Sequence, residues 1–357
     1  MIMNMCIFGA VALGPTIGGL QAEADKWRPL FWIVSGIALT ALVLSLLTFE
    51  DAPPADPSAP VDVPALALAT VGCVAAFFGA AQLLTNAFLS PIAILPLVGG
   101  LLTIIGLVVY QYRARNPLLT IREMLTSSIP IAGIIVALFA AAASVSATAL
   151  TAAALSDGYS PLHVGLLYLP EAAGAVITAV VLGMVLDKSF IHWLPLIGMA
   201  FLAAGIAVFL IQVPSSQPLA LTASLLTGIG LGATVAPALF VAGFSLRALN
   251  LQRVFAIVEL FRAVAAFMVA PIFFHFAESV SDDLVEGVTI SLWIGLALAV
   301  GGGVLAVATY ALSGARPQTP DIEGFIAGRS SAWYSPPLLA RLRRTRLPAQ
   351  AVTEGAD

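Results

Sequence analysis

Apolar runs of about twenty residues recur ten times along this chain, near 2–20, 29–49, 63–84, 91–111, 129–153, 161–186, 191–212, 218–245, 254–276 and 288–312. A helix of roughly 20 apolar residues is what it takes to cross the hydrocarbon core of a bilayer. The separators carry turn chemistry, as in "DGYSP" at 157–161 and "PSSQP" at 214–218. Trp27, Trp193 and Trp293 fall near span ends, where indole rings prefer the interface. Composition agrees: the 357 residues are 60% hydrophobic and 10% charged, against about 25% charged in soluble domains. The excess apolar area must face lipid, so the bilayer is the first partner the sequence implies.

Several classes drop out. A signal peptide needs a basic start, but the first basic residue is Lys26, after the first apolar run. Cys6 and Cys73 sit inside apolar runs, and His163, His192 and His275 are scattered, so no metal site, disulfide or cofactor is expected. The net charge of −4 carries no nucleic-acid signal. Paired aspartates or a His-Glu metal motif within the spans would suggest an intramembrane enzyme; neither is present, and the chain is not expected to be one.

Basic residues set the orientation. With the N-terminus cytoplasmic, ten spans place Arg113, Arg115, Arg122, Lys188, Arg247, Arg253, Arg316, Arg329, Arg341, Arg343, Arg344 and Arg346 inside, and Lys26 and Arg28 outside. The positive-inside rule therefore puts the C-terminus in the cytoplasm of a multi-pass cell-membrane protein. Residues 50–64 are acidic and proline-rich, a flexible linker, and 112–128 read as a short amphipathic helix on the inner membrane surface. The tail from about Ser313, interrupted by Pro317, Pro320, Pro336 and Pro337, is expected to be mobile, and its "RLRRTR" at 341–346 suits anionic inner-leaflet lipids.

Within the first span, Ala10, Gly14 and Gly18 recur every four residues and form a smooth strip that lets another helix approach closely. Pro15 frees the carbonyl of Val11 and is expected to bend the helix. Three ionisable residues lie inside spans, where each costs roughly 2.5–3.5 kcal/mol at the centre and so calls for a reason. Glu171 follows Pro170 close to mid-depth, with no cation in its own helix. Such a carboxyl suits proton coupling, and equally suits a neutral hydrogen bond to a neighbouring helix. Glu259 and Arg262 stand three residues apart and can pair. That pair reads first as structural, with gating or coupling as the alternative.

"GAVALGPTIGG" at 9–19 resembles the antiporter motif of the major facilitator superfamily, on Gly9, Gly14, Pro15, Gly18 and Gly19. That motif lies in the family's fifth helix, and "KWRPLFWI" resembles the start of its sixth. Ten spans then fit a fourteen-helix member lacking its first four helices, which points to the drug:proton antiporters of the EmrB/QacA type. "RARNPLLTIREM" at 113–124, "YSPLHVGLLYLPEAAG" at 159–174 and "GIGLGATVAPAL" at 228–239 are also similar to family segments. The resemblance implies an all-α membrane protein of that superfamily. Its last two N-terminal-bundle helices would occupy 1–49, the linker, two extra helices and an interfacial segment 50–128, a complete six-helix C-terminal bundle 129–312, and a basic cytoplasmic tail 313–357.

The resemblance implies proton-coupled export of small hydrophobic or amphipathic compounds, with Glu171, Glu259 and Arg262 as coupling candidates. Partners would be the substrate, protons, the missing helices and a periplasmic adaptor. Glu171 and Glu259 would each occupy the second helix of an inverted three-helix repeat. The first helices of the triplets would face the cavity, offering Phe139, Ser144, Ser146, Thr148 and Thr151 from one, and Thr222, Ser224, Thr227 and Phe240 from the other. Of the family's cytoplasmic loop motif, Gly183, Asp187 and Lys188 remain. A pair of bundles with one reduced to two helices cannot alternate access, so a truncated, non-transporting chain is the competing expectation.

Overall fold

The computed structural model describes residues 2–25, 27–48, 61–114, 117–338 and 340. Lys26, Arg115, most of the proline-rich linker and the arginine cluster at 341–346 lie outside the described residues, as does the packing around Gly9. Helices account for the described fold, with a single isolated β-bridge between Ser127 and Pro337.

The N-terminal pair is α1 (Ile2–Glu23) and α2 (Trp27–Thr48). Next come α3 (Val63–Gln82), α4 (Pro91–Arg113) and the short α5 (Ile121–Thr126). The following bundle comprises α6 (Ser128–Leu155), α7 (Pro161–Leu167), α8 (Leu169–Val185), α9 (Leu194–Ile211), α10 (Gln217–Phe244), α11 (Leu251–Val280) and α12 (Leu284–Ser313), and α13 (Ile322–Ile326) closes the described chain. Among the described residues nine helical segments are long and apolar enough to cross a membrane, with α7 and α8 counting together as one. Helix α1, 22 residues long, stands outside those nine.

Helix starts repeat one device. Proline occupies the first or second position of α3, α4, α7, α8, α9 and α10, where its missing N–H leaves nothing unsatisfied and its fixed φ suits the helix. The bundle centres on α10, packed against α6, α8 and α9; α12 closes against α6 and α9, and α11 against α6 and α12. Its interior is built from small side chains: Ala137, Ala140, Ala141, Ala143 and Ala147 of α6 are all essentially buried. In lipid, where apolar surface gains nothing by leaving an apolar solvent, such close backbone approach is what holds helices together.

Helices α3 and α4 form a hairpin zipped by glycine. An added Cβ on Gly79 would stand 2.3 Å from the Leu97 nitrogen, and one on Gly100 2.3 Å from the Ala76 nitrogen. The hairpin rests on α11, with Phe77 edge-on to Phe267 at 5.6 Å. Asp62 caps α3, accepting from the Ala65 N–H, the Tyr110 hydroxyl and the Gln111 side-chain amide at 2.7 Å. Helix α2 stands apart: no residue of its apolar window is buried, and its Ser35, Thr40 and Thr48 hydroxyls donate to carbonyls of their own helix.

Helix α5 turns one face to the bundle: Ile121 and Met124 are buried against Ala137, Ala242, Val254 and Ile257, while Arg122, Leu125 and Thr126 are exposed and Glu123 accepts from Asn250 Nδ2 at 2.7 Å. One sequence expectation fails here: the segment after Ser313 is not loose. Residues 315–338 fold back over the bundle end, with Phe325, Ala332 and Trp333 buried. The reason is unpaired helix ends, whose N–H and C=O groups need partners. The Ala332 N–H and Trp333 Nε1 donate to the last carbonyls of α10, Phe244 at 2.9 Å and Val241 at 3.2 Å. The first N–H groups of α6, Ser128 and Ile129, donate to the Pro336 carbonyl and Ser335 Oγ.

Candidate functional site

One membrane span is broken in its middle. The helix from Pro161 stops at Leu167, Tyr168 turns, and a second helix starts at Leu169 with Pro170 in its first turn. Proline clashes with the preceding turn and cannot donate, so the ladder is interrupted there. Inside lipid, freed carbonyls need substitutes. Ser224 Oγ of α10 supplies one, donating to the Leu167 carbonyl at 2.9 Å. The Tyr168 hydroxyl, 1% exposed, meets Thr151 Oγ1 of α6.

Glu171 sits in the first turn of α8, only 5% exposed, and its Oε2 has no hydrogen-bond partner among the described residues. Its own N–H donates to the Tyr168 carbonyl. The carboxyl lies beside the first-turn N–H groups of α8, the positive end of that helix's dipole. A buried, unpaired carboxyl at an interrupted helix can take up a proton or accept from a donor group on a ligand. Discontinuous helices place substrate and ion sites near the midplane of secondary transporters.

Helix α10 approaches this site on glycine. A Cβ on Gly228 would lie 2.2 Å from the Glu171 carbonyl oxygen, one on Gly174 2.5 Å from the Ile229 nitrogen, and one on Gly232 2.0 Å from Thr178 Oγ1. Helix α1 packs on the other side. Thr16 Oγ1 donates to the Gly165 carbonyl at 2.8 Å, and the Leu162 N–H donates to Glu23 Oε2 at 3.3 Å. A Cβ on Gly19 would meet the Pro161 oxygen at 2.3 Å, and one on Gly165 the Pro15 oxygen at 2.6 Å. Among the described residues an added Cβ on Gly14 or Gly18 meets nothing within 4 Å; the close contacts to α7 are made by Gly19, against Pro161, and by the backbone of Pro15 and Thr16, against Gly165. Helical spacing identified a strip but not which face meets the neighbour.

The other sequence-selected residues scatter. Glu259 Oε2 and Arg262 Nε pair at 2.7 Å on α11, with side chains 41% and 27% exposed, an environment unlike that of Glu171. Gly183, Asp187 and Lys188 flank the turn between α8 and α9, all exposed. Thr151 joins Tyr168 near the break. Ser144 is buried in α6, directed to the Ala141 carbonyl, and the Thr148 carbonyl accepts from Thr151. Phe139 packs against Gly302 of α12, Thr227 against Gly205 of α9, and Phe240 edge-on to Phe255 of α11 at 5.9 Å. These three therefore fill helix–helix contacts. Sequence reading missed Tyr168, Gly174 and the break; Pro170 in mid-span, and a tyrosine hydroxyl at lipid depth needing a partner, were the signals available.

Fold and hydropathy together define a multi-pass α-helical membrane protein. The chain belongs to the Major Facilitator Superfamily, whose profile matches residues 2–271. It is 25% identical over 320 residues to the drug efflux pump JefA of Mycobacterium tuberculosis, covering 82% of this chain and 60% of that protein. It is 25% identical over 231 residues to a multidrug resistance protein B homolog of the same organism, covering 63% of this chain and 42% of that protein. An uncharacterized MFS-type transporter of Bacillus subtilis, YhcA, is 24% identical over 201 residues, covering 56% and 37%. The chain spans three-fifths or less of the length of these curated relatives.

Proposed function

We propose that this chain is part of a proton-coupled exporter of small hydrophobic or amphipathic compounds, of the fourteen-helix drug:proton antiporter type. Its arginine-rich end lies in the cytoplasm, and Glu171 carries the proton. The observation that carries this reading is a carboxyl 5% exposed, unpaired at Oε2 and set at a break in a membrane span. A drug efflux pump and a multidrug resistance protein B homolog among the relatives support the substrate class. Glu171 binds a proton while open to one side and releases it to the other, and the α8–α10 glycine contact transmits its state to the bundle. Glu259 and Arg262 neutralise each other locally and modulate rather than carry the coupling.

The test is dye accumulation in cells expressing the chain, alone and joined to any upstream in-frame helices, before and after collapse of the proton gradient. Gradient-dependent export that Glu171→Gln abolishes is the expected result. Unchanged export in Glu171→Gln refutes the proton role. The second reading, a chain that does not transport by itself, is favoured by α2, whose apolar window has no buried residue. It predicts no export from the chain alone and export from the extended one.

A further inference from the structure

Gly303 and Ala299 on α12, and Ala200 and Ala203 on α9, leave a hollow between these two helices that Leu196 and Met199 help to line. The result is a groove of about 510 Å³ between the two helices. Its rim residues Val300 and Val304 are 50% and 61% exposed. Both helices are membrane-spanning, so what meets this groove is the bilayer itself. At Leu196 and Val307 it continues into a second hollow of about 220 Å³.

There the chemistry changes. The second hollow is lined by His192, Trp193 and Tyr310, and by Ala315 and Pro317 on either side of the exposed Arg316. It lies at the span ends, where α9 begins at Leu194 and α12 stops at Ser313. His192 is 2% exposed; its Nδ1 stands 3.5 Å from the Tyr310 hydroxyl, and its Nε2 has no partner among the described residues. With the Tyr310 hydroxyl donating to Nδ1, Nε2 carries the hydrogen and lacks an acceptor. A long apolar trough, one buried donor at its interfacial end and a cation beside the mouth match a single kind of molecule in a bilayer.

We propose that this groove holds one acyl chain of an anionic glycerophospholipid, with an ester oxygen accepting from His192 and the headgroup beside Arg316. The site is separate from Glu171 and requires only that the chain sit in a membrane. A lipid wedged there fills the gap between α9 and α12 while leaving both helices free to tilt as one body.

The test uses the full chain in phosphatidylcholine nanodiscs doped with phosphatidylglycerol carrying a diazirine midway along one acyl chain. After irradiation, adducts on α9 and α12 are expected to exceed those on α2, whose apolar window has no buried residue. Gly303→Leu fills the trough, since a Cβ there meets nothing closer than Met199 Cβ at 3.5 Å. Adducts on α9 and α12 should then fall to the α2 level while those on α2 hold. His192→Phe keeps the ring contact with Trp333 but removes the donor, and should also reduce them. Arg316→Gln should lower the preference for phosphatidylglycerol over phosphatidylcholine by about fivefold, the equivalent of about 1 kcal/mol per basic residue. Equal labelling of all helices, or adducts undiminished in Gly303→Leu, overturns the proposal. So would disulfide cross-linking of two copies through Gly303→Cys, which would make a second copy the occupant.

Discussion

Gly228→Ala is the sharpest probe of how the broken span is held. Real Cβ contacts essentially never fall below 3.0 Å, yet this one would form at 2.2 Å from the Glu171 oxygen, with the Glu171 Cα at 2.6 Å. Both obstacles are backbone, so no side chain can rotate away. Helices α8 and α10 must separate by at least about 0.8 Å, the difference between those two distances. The same shift strains the neighbouring 2.9 Å bond from Ser224 Oγ of α10 to the Leu167 carbonyl at the end of α7. Overpacking costs about 1–3 kcal/mol, and a lost interhelical bond in a membrane about 0.6 kcal/mol. Against this, alanine is a better helix former than glycine by about 0.5–1 kcal/mol. The balance is a destabilisation of about 1–3 kcal/mol.

Gly301→Ala is the control, because a Cβ there meets nothing within 4 Å and only the helix-propensity gain remains. The assay is thermal unfolding of the purified protein in one detergent, read by size exclusion after heating. Gly228→Ala should melt several degrees below the parent and Gly301→Ala at or slightly above it. If both variants melt with the parent, α8 and α10 do not touch as described, and the route from Glu171 to the bundle fails with them.

Four further outcomes follow from named contacts. Gly19→Ala should loosen α1 from α7 and lower thermal stability, while Gly14→Ala and Gly18→Ala, which meet open space, should not. At Asp62 the Gln111 amide, with the Ala65 N–H and Tyr110 hydroxyl, holds the carboxyl below the usual carboxylate range despite some opposing desolvation. Its stabilisation is therefore present above the ordinary carboxylate pKa and lost as pH falls through the lowered one, so hydrogen exchange in the first turn of α3 should be faster in Asp62→Asn at pH 7 and converge with the parent in acid. Trp333→Ala should cost about 3–5 kcal/mol locally and expose the segment after Ser313 to protease. His192, in the turn between two spans, is pushed down to about 4 from 6.5 by burial. An opened segment would bind its proton first, so stability is lost as pH falls from about 6.5 towards 4, by up to about 3 kcal/mol; proteolysis of that segment should accelerate between pH 7 and pH 5 in the parent and much less in His192→Phe.

What could be read from the sequence was whatever depends on composition along a line. Span positions fall within a few residues of the helices, from Pro91–Arg113 to Leu284–Ser313, because a bilayer demands a length and a hydropathy and nothing more. The Glu259–Arg262 pair was legible because i,i+3 spacing on a helix fixes the distance. Faces were not. Bilayer spans lack the polar side that marks the exposed surface of a soluble helix, so periodicity could not say whether Gly18 or Gly19 meets a neighbour, or that Phe139, Thr227 and Phe240 turn to other helices. The tail failed for a related reason: prolines argue for looseness, while Phe325 and Trp333 are buried only against the bundle end on which they dock.

The same logic explains why the candidate residue is conspicuous in the sequence while its setting is not. A lone carboxyl at lipid depth is conspicuous because insertion is costly, so Glu171 stands out in any reading of the sequence. Its setting is made by absences: the N–H that Pro170 lacks, and the side chains that Gly174, Gly228 and Gly232 lack. Each absence acquires meaning only when another backbone occupies the space. The α8–α10 crossing puts the Glu171 carbonyl and Cα where the side chain of residue 228 would otherwise be, so movement of this turn is felt directly by α10. A carboxyl held by side-chain bonds could change state and leave the helices still. Here no side-chain partner holds Oε2, and the backbone carrying the group is wedged against its neighbour. On the proposal that Glu171 carries the proton, a change in its charge would press on helix position, the form of response that such coupling requires.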